Sequence, residues 1–598
     1  MFKQILCGIV MVTNVTNQTF SNGFLCSYKY LIEKDMKYII IGGVAGGAST
    51  AARLRRLDEQ ATIILFEKGA HISYANCGLP YYIGDVITDR NQLFVQTAAS
   101  FKQRFNIDTR VLSEVIAIHT DLKSVEVKDL KTGVIYTETY DKLVLSPGAE
   151  PVRPPLEGIN LEGIFTLRNV TDTDRIKSYV KQFPAGHAVI IGAGFIGLEM
   201  AENLYHLGMK VTIVEMIDQV LALTDFPIAA LAQQHIRSKG VHLKLKTAVT
   251  GFEQGANGLI IHLKNELPLD ADVVILSIGV RPDTKLATGA GLKLGNAKGI
   301  LVNEFLQTSD EHIYAVGDAI EFINPITGNS MPTYLAGPAN KQGRICANNL
   351  VLGNKQRYQG SINTAIVKIF DLTVAVAGVA SKHLLAAKIP HLVSTTHSGS
   401  HASYYPDSEQ MTIQISFSPD DGRLLGAQII GKEGVDKRID TLSSVIQRGS
   451  TIDELTEFEH AYAPPYSSAK DPVNMAGFVA ENILQKRLQV VPWTTVSTLG
   501  PDDLLLDVRT VKEFYSGHIS DSVNIPVDDL RNHLYEIPKD KKVYIYCQIG
   551  LRGYLAQRIL LQSGYPAVYN ISGGYKLWEA CTAEMKMNRK ELQEVSVG

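Results

Sequence analysis

Residues Ala188-Val189-Ile190-Ile191-Gly192-Ala193-Gly194-Phe195-Ile196-Gly197 run from an apolar strand through three spaced glycines into a helix, and Val211-Thr212-Ile213-Val214-Glu215 closes the unit on an acid. The spacing is that of a dinucleotide-binding βαβ unit. The glycines let backbone approach a pyrophosphate, the helix N-terminus supplies N–H groups and positive dipole, and the closing acid accepts from a ribose hydroxyl. The same pattern stands earlier: Tyr38-Ile39-Ile40-Ile41 opens into Gly42-Gly43-Val44-Ala45-Gly46-Gly47, and Ile63-Ile64-Leu65-Phe66-Glu67 closes it. Here Val44 occupies the place of the second glycine. One such fingerprint is weak evidence, but two that both end in an acid predict paired Rossmann-like domains.

Working outward, Leu143 to Ala149 and Ile275 to Pro282 are near-equivalent apolar strands ending in glycine turns, at the entry to and exit from the second unit. Ile313-Tyr314-Ala315-Val316-Gly317-Asp318 then offers a carboxylate at a strand end, facing a following helix. From about Gly360 the pattern turns β-rich, with a helix expected from Gly434 to Arg448. Val490-Val491-Pro492-Trp493 reads as a linker, and a small α/β unit starts at Leu504. The predicted fold class is therefore α/β: two Rossmann-like domains, an α+β domain and a small α/β domain. The divisions are 1–35 (an extension), 36–150 and 280–350 (first nucleotide domain), 151–279 (second), 351–488 and 489–598. Residues from Glu584 onward read as a loose polar tail.

At 598 residues the chain exceeds a single core. It is 45% hydrophobic and 20% charged, and 58 − 61 gives a net charge of −3, which provides no general attraction to nucleic acid or to an anionic membrane. Six scattered cysteines (7, 26, 77, 346, 547, 581) form neither a disulfide framework nor a zinc spacing, so no metal is expected and a reducing, cytoplasmic setting is. Phe2 to Val12 is an apolar run behind one lysine, too short to span a membrane. It reads either as a poor signal peptide or as a dispensable extension before a start at Met36, which leads straight into the first strand.

Two cysteines stand in settings that suggest chemistry. Cys77 lies in Ser73-Tyr74-Ala75-Asn76-Cys77-Gly78-Leu79-Pro80, just beyond Glu67, with no second cysteine within thirty residues. Its redox partner is therefore external: a small thiol, a persulfide sulfur, or oxygen as a sulfenic acid. Gly78 and Pro80 predict entry into a helix, whose N-terminus is expected to lower the thiol pKa. Cys547 opens the loop Cys547-Gln548-Ile549-Gly550-Leu551-Arg552-Gly553 between an apolar strand and a helix. Loop N–H groups and Arg552 are expected to form an anion nest around a thiolate or persulfide. A buried structural thiol is the alternative at both positions.

The order of these motifs, with Val316-Gly317-Asp318 and Tyr462-Ala463-Pro464-Pro465-Tyr466, resembles the pyridine nucleotide-disulfide oxidoreductases, and more narrowly their coenzyme A-disulfide reductase branch. The tail, with Asp507-Val508-Arg509, Glu513-Phe514, Gly517-His518-Ile519 and the Cys547 loop, resembles a rhodanese domain. The combination is similar to rhodanese-fused CoA-disulfide reductases, some of which reduce persulfides or polysulfides with NADH. The resemblance implies FAD at Gly42, Gly43, Gly47, Glu67, Gly317 and Asp318, and the nicotinamide cofactor at Gly192, Gly194, Gly197 and Glu215. It implies CoA at Ser73 and Asn76, with Arg53 and Arg56 on the CoA phosphates, although arginines at 53, 55 and 56 also suit a solvated helix face. It further implies that Cys77 forms a mixed disulfide with a CoA-linked or inorganic sulfur substrate, that Cys547 carries sulfane sulfur beside Arg552, and that the chain is a homodimer. In that dimer Tyr462, with Tyr404 or Tyr405, would protonate the departing thiolate from the partner subunit; aromatic packing is the other reading of these tyrosines. An NADH oxidase or peroxidase cycling Cys77 through sulfenic acid, and a sulfur carrier or redox sensor, remain as alternatives.

Overall fold

The computed structural model describes residues 36–596, with side chains to Met587; the extension 1–35 lies outside the described residues. Five parallel strands form the first sheet, in the order Ile313–Ala315, Lys142–Leu145, Lys37–Ile41, Thr62–Glu67, Asp108–Val111. Ile39, Ile40, Ile64 and Leu65 are at most 3% exposed. Such continuous burial, rather than alternation, is what a parallel sheet covered on both faces requires.

The second sheet repeats the plan, in the order His242–Lys244, Lys210–Val214, His187–Ile191, Val273–Leu276, Ile164–Phe165. The chain leaves the first domain by Ala149–Pro151 and returns by Val280–Pro282, and these two crossings pair antiparallel, Arg281 opposite Glu150. Helix Ala336–Leu352 then lies across helix Ala45–Leu57. A Cβ on Gly343 would come 2.6 Å from the Gly46 carbonyl oxygen, so only glycine permits this approach. Asp318 sits in a single 3₁₀ turn, Gly317–Ala319, that leads into strand Ile320–Ile323 rather than into a helix. The helix it faces comes later: the Gln342 side chain accepts from the Gly317 N–H at 2.7 Å.

The third sheet is antiparallel, in the order Ala365–Ile369, Leu372–Gly378, Leu424–Gly431, Gln410–Phe417, Leu392–Gly399, packed against helices Val435–Arg448 and Pro472–Leu484. The fourth is parallel, in the order Val490–Val491, Val568–Ile571, Lys542–Tyr546, Asp503–Asp507, Val523–Asn524.

Two expectations about the C-terminal region are corrected. Val490-Val491 is the edge strand of the fourth sheet, paired with Asn570 and Ile571, and not a free linker. Nor is the tail loose from Glu584: helix Gly574–Ser596 carries Glu584 fully buried, where it accepts from Gln233 Nε2 at 2.8 Å and lies 3.5 Å from Arg237 Nε. Trp493 stacks on Phe226 of the same second-domain helix, Phe226–Ser238. On the third domain, His397 Nε2 donates to the Gly573 carbonyl at 3.1 Å. The last domain is thus docked on two others through buried polar and aromatic contacts. Polarity along the sequence gave no sign of this, because the partners of Glu584 lie in another domain.

Candidate active site

Both fingerprints are built alike. Glu67 accepts from the Gly43 N–H at 2.8 Å and the Gly69 N–H at 2.7 Å; Glu215 accepts from the Ala193 N–H at 2.8 Å and the Ile217 N–H at 3.1 Å. Gly42 and Gly192 have φ near +100°, and a Cβ on either would strike a neighbouring strand-end carbonyl oxygen, that of Ser146 at 2.0 Å or Ser277 at 2.5 Å. Gly47 and Gly197 close against the carbonyls of Gly42 and Gly192 in the same way. Nothing lies within 4 Å of a Cβ built on Gly194, so that position is open for a ligand. In the first unit Val44 stands there and lines a cavity of about 460 Å³, together with Gly42, Glu67, Ser146, Arg168 and Asp318.

Cys77 lies in the 3₁₀ turn Asn76–Gly78, which runs into helix Leu79–Ile83. Leu79, Pro80 and Ile83 are buried and anchor the helix, while Asn76 and Cys77 stay exposed. Ser73 enters the turn with φ 45°, a left-handed conformation that costs a non-glycine residue on the order of 1 kcal/mol. It is held there by donating its N–H to the Gly43 carbonyl and accepting from the Val95 N–H, at 2.8 and 2.9 Å. The loop bearing the thiol is thereby tied to the first glycine turn.

The expected lowering of the Cys77 pKa is not found. The cysteine has exposed surface, yet surrounding protein desolvates its sulfur, and the carboxylates of Glu199 and Asp318 add repulsion, so the thiol is pushed up. A one-turn helix supplies too little dipole to offset this. Glu199 was not foreseen. It lies on helix Phe195–His206, where burial pushes its carboxyl up to about 7, and the Tyr81 hydroxyl donates to it at 3.3 Å.

Of the first-helix arginines, Arg55 is structural: buried, it donates to the carbonyls of Asp58, Glu59, Ala61, Phe105 and Asn106. Arg53 is half-buried with Nε on Asn348 Oδ1 at 2.9 Å, and Arg56 is exposed. Desolvation and the nearby guanidiniums of Arg344 and Arg56 lower the Arg53 pKa. Arg344, from helix Ala336–Leu352, is the member of this cationic cluster that sequence reasoning missed.

Tyr404 and Tyr462 are brought together, hydroxyl to hydroxyl at 2.6 Å, and are 73% and 48% exposed. Tyr405 instead meets His401 edge-on. Buried Arg438 ties the two tyrosine loops, donating to the Ser400 carbonyl and pairing with Asp471, both at 2.8 Å.

Cys547 is fully buried, and its Sγ accepts from the Gly550 N–H at 3.1 Å. Gly550 has φ 109°, which turns the loop back over the sulfur. Arg552 faces the Cys547 sulfur, as expected, and is at the same time held by Glu513 in a bidentate pair at 2.6 and 2.7 Å, by which the Glu513 carboxyl falls to about 2.

Residues 36–341 match the model for pyridine nucleotide-disulphide oxidoreductases, residues 364–472 the dimerisation domain of that family, and residues 496–581 the rhodanese-like domain. The chain belongs to the pyridine nucleotide-disulphide oxidoreductase family, with a rhodanese-like domain at its C-terminal end, as the motif order implied. It is 36% identical over 448 residues to the coenzyme A disulfide reductase of Staphylococcus haemolyticus, an alignment that covers 75% of this chain and 100% of that protein. Among solved structures, reduced Bacillus anthracis CoADR-RHD superposes with a TM-score of 0.90 at 46% identity, covering 92% of this chain and 99% of that one. An NAD-dependent persulfide reductase from A. fulgidus superposes with a TM-score of 0.85 at 37% identity, covering 91% and 100%. The family works with FAD and NAD(H). Among the described residues no helix is long and apolar enough to cross a membrane.

Proposed function

We propose that the chain reduces CoA-linked disulfides and persulfides with NADH, and that Cys77 is the residue that takes the substrate sulfur. The observation that carries this reading is a thiol, free among the described cysteines, on a loop fixed to the first glycine turn, in a protein similar over nearly its whole length to a persulfide reductase. FAD, held by Gly42, Gly43, Gly47, Glu67, Gly317 and Asp318, would supply hydride acceptance from NADH and electron-pair transfer to sulfur. The glycine cradle, the Glu67 carboxylate and the 460 Å³ cavity fit it.

The chain's own part is positional. Ser73 and Asn76 flank the substrate sulfur, and Arg53 and Arg56, joined by Arg344, receive the phosphates of CoA. Cys77 forms a mixed disulfide with the substrate and leaves it as a thiolate. A Tyr404–Tyr462 pair exposed on the dimerisation domain suits proton delivery to a departing thiolate in the partner subunit, so the protein works as a homodimer. The four described cysteines are all free, which supports a reducing, cytoplasmic setting. Light scattering at assay concentration should show a dimer, and fully active monomers would remove the shared site. The reading as a whole is tested by NADH consumption coupled to thiol or sulfide release from CoA disulfide or CoA persulfide. Loss of NADH only with peroxide or oxygen would favour an oxidase.

NADH should be preferred over NADPH. Glu215 lies where the ribose 2′ group is read, both its oxygens already accept backbone N–H groups, and Met216-Ile217-Asp218 bring no cation of their own. A 2′-phosphate beside this acid is expected to cost about ten-fold or more in kcat/KM, from the 1–3 kcal/mol of an unpaired charge. Equal kcat/KM for the two cofactors would contradict the assignment of Glu215.

A further inference from the structure

Every guanidinium that meets the Cys547 loop is already matched to a carboxylate. Arg552, the loop's own cation, is held in a bidentate pair by Glu513 at 2.6 and 2.7 Å. Arg509, which reaches the loop through Gln548 Oε1 at 3.3 Å, is buried and bidentate on Asp507, with its guanidinium stacked over Tyr575 at 4.1 Å. Gln548, next to the thiol, is neutral. Lys576 meets the loop only through its backbone N–H, on the Gln548 carbonyl, and turns its ammonium to Gln410 on the dimerisation domain. His397, behind the Gly573 turn, is buried, and burial lowers its pKa to about 3, so it adds no charge near neutral pH. Arg552 also faces the Cys547 sulfur, but with its charge already matched by Glu513, and the other donor to the sulfur is the loop backbone, through the Gly550 N–H. On the two helices that the Glu513–Arg552 pair joins, Leu551 and Leu555 of one and Val511 and Tyr515 of the other are exposed.

We propose that the Cys547 site is built for the persulfide of an organic thiol, R–S–SH, and discriminates against thiosulfate, with Glu513 and Gln548 as the residues that set the specificity. The proposal rests on the reading of Cys547 as a sulfane-sulfur carrier. Sulfur transfer from thiosulfate expels sulfite, a dianion, and a site that holds that charge needs a cation not already neutralised. Transfer from a persulfide makes no such demand. The Cys547 thiolate bonds to the outer sulfur of R–S–SH, the S–S bond to the carrier breaks with its electron pair on the carrier sulfur, and the proton of the outer sulfur passes to it. The products are the Cys547 persulfide anion and R–SH, with no oxidant or reductant consumed. The exposed apolar side chains of the two helices suit an organic carrier more than an inorganic dianion.

The test is cyanide-dependent sulfur transfer by the full-length, flavin-loaded protein without NADH, with glutathione persulfide and thiosulfate as donors and Cys547→Ser as the blank. The wild type is expected to favour the persulfide by about ten-fold or more in kcat/KM. Gln548→Arg, which adds an unpaired cation, and Glu513→Gln, which releases Arg552 while keeping a residue able to close the capping box with Thr510, should each raise thiosulfate relative to persulfide by about ten-fold, the low end of what local charge gives. A wild type that uses thiosulfate as well as the persulfide overturns the specificity while leaving Cys547 as a carrier. An unchanged donor ratio in both variants overturns the roles of Glu513 and Gln548. No Cys547-dependent transfer from either donor overturns the carrier reading, and the proposal with it.

Discussion

Cys77→Ser is expected to abolish NADH-dependent reduction of CoA disulfide and CoA persulfide, by on the order of 10³-fold or more, as loss of a covalent nucleophile commonly does. A serine oxygen cannot form the mixed disulfide that divides the reaction into two steps. FAD content should be retained, because Cys77 is not among the residues lining the cavity proposed for it, and the exposed turn tolerates a one-atom change. Flavin absorbance and steady-state turnover on the same preparation check both halves. Near-wild-type persulfide reduction by the variant would remove Cys77 from the mechanism.

Cys547→Ser separates the two thiols. It should abolish sulfur transfer to cyanide and slow the reduction of large or polymeric sulfur donors, which the site proposed for CoA would not admit. Turnover of a small CoA disulfide or persulfide should stay within about two-fold of wild type, because that substrate reaches Cys77 directly. The warrant is that Cys547 belongs to its own sheet and core, with Leu506, Val543, Ile545 and Val568 around it. Docking of this domain through Glu584, Trp493 and His397 fixes its place against the second and third domains. If small-substrate turnover falls as far as in Cys77→Ser, the two sites form one obligatory relay.

The parts that were legible in the sequence are those whose physics is local. A strand, a glycine turn, a helix and an acid lie in one short segment, so both fingerprints are readable from spacing, though not that Glu67 and Glu215 also accept from the Gly43 and Ala193 N–H groups. The Cys547 loop was legible as a strand-to-helix turn, but not its end: spacing closes it at Gly553, whereas the helix already starts at Leu551 and Gly550 makes the turn. What depends on a distant element was missed or misread. Arg55 and Arg53 look alike in sequence, and Arg55 is made structural by carbonyls of the following turn, at Asp58, Glu59 and Ala61, together with the distant ones at Phe105 and Asn106. Arg344 and Glu199 reach the neighbourhood of Arg53 and Cys77 from helices elsewhere in the chain, and desolvation of the Cys77 sulfur, with Glu199 and Asp318 adding repulsion, turns a predicted lowering of the thiol pKa into a rise. Arg552 looked like a free anion ligand because Glu513 lies on a different helix. The buried acid of the tail, Glu584, was unreadable for the same reason.

The central claim is that Cys77 carries the substrate sulfur. Mass spectrometry of the Cys77 peptide, after the oxidised enzyme has been mixed with CoA disulfide or CoA persulfide and the excess removed, tests it most directly. The account predicts a disulfide-linked CoA or an added sulfur on Cys77 that disappears when NADH is supplied, with release of an equal amount of thiol or sulfide. An unmodified Cys77, or one that carries only oxygen, in a preparation that still turns over these substrates would contradict it.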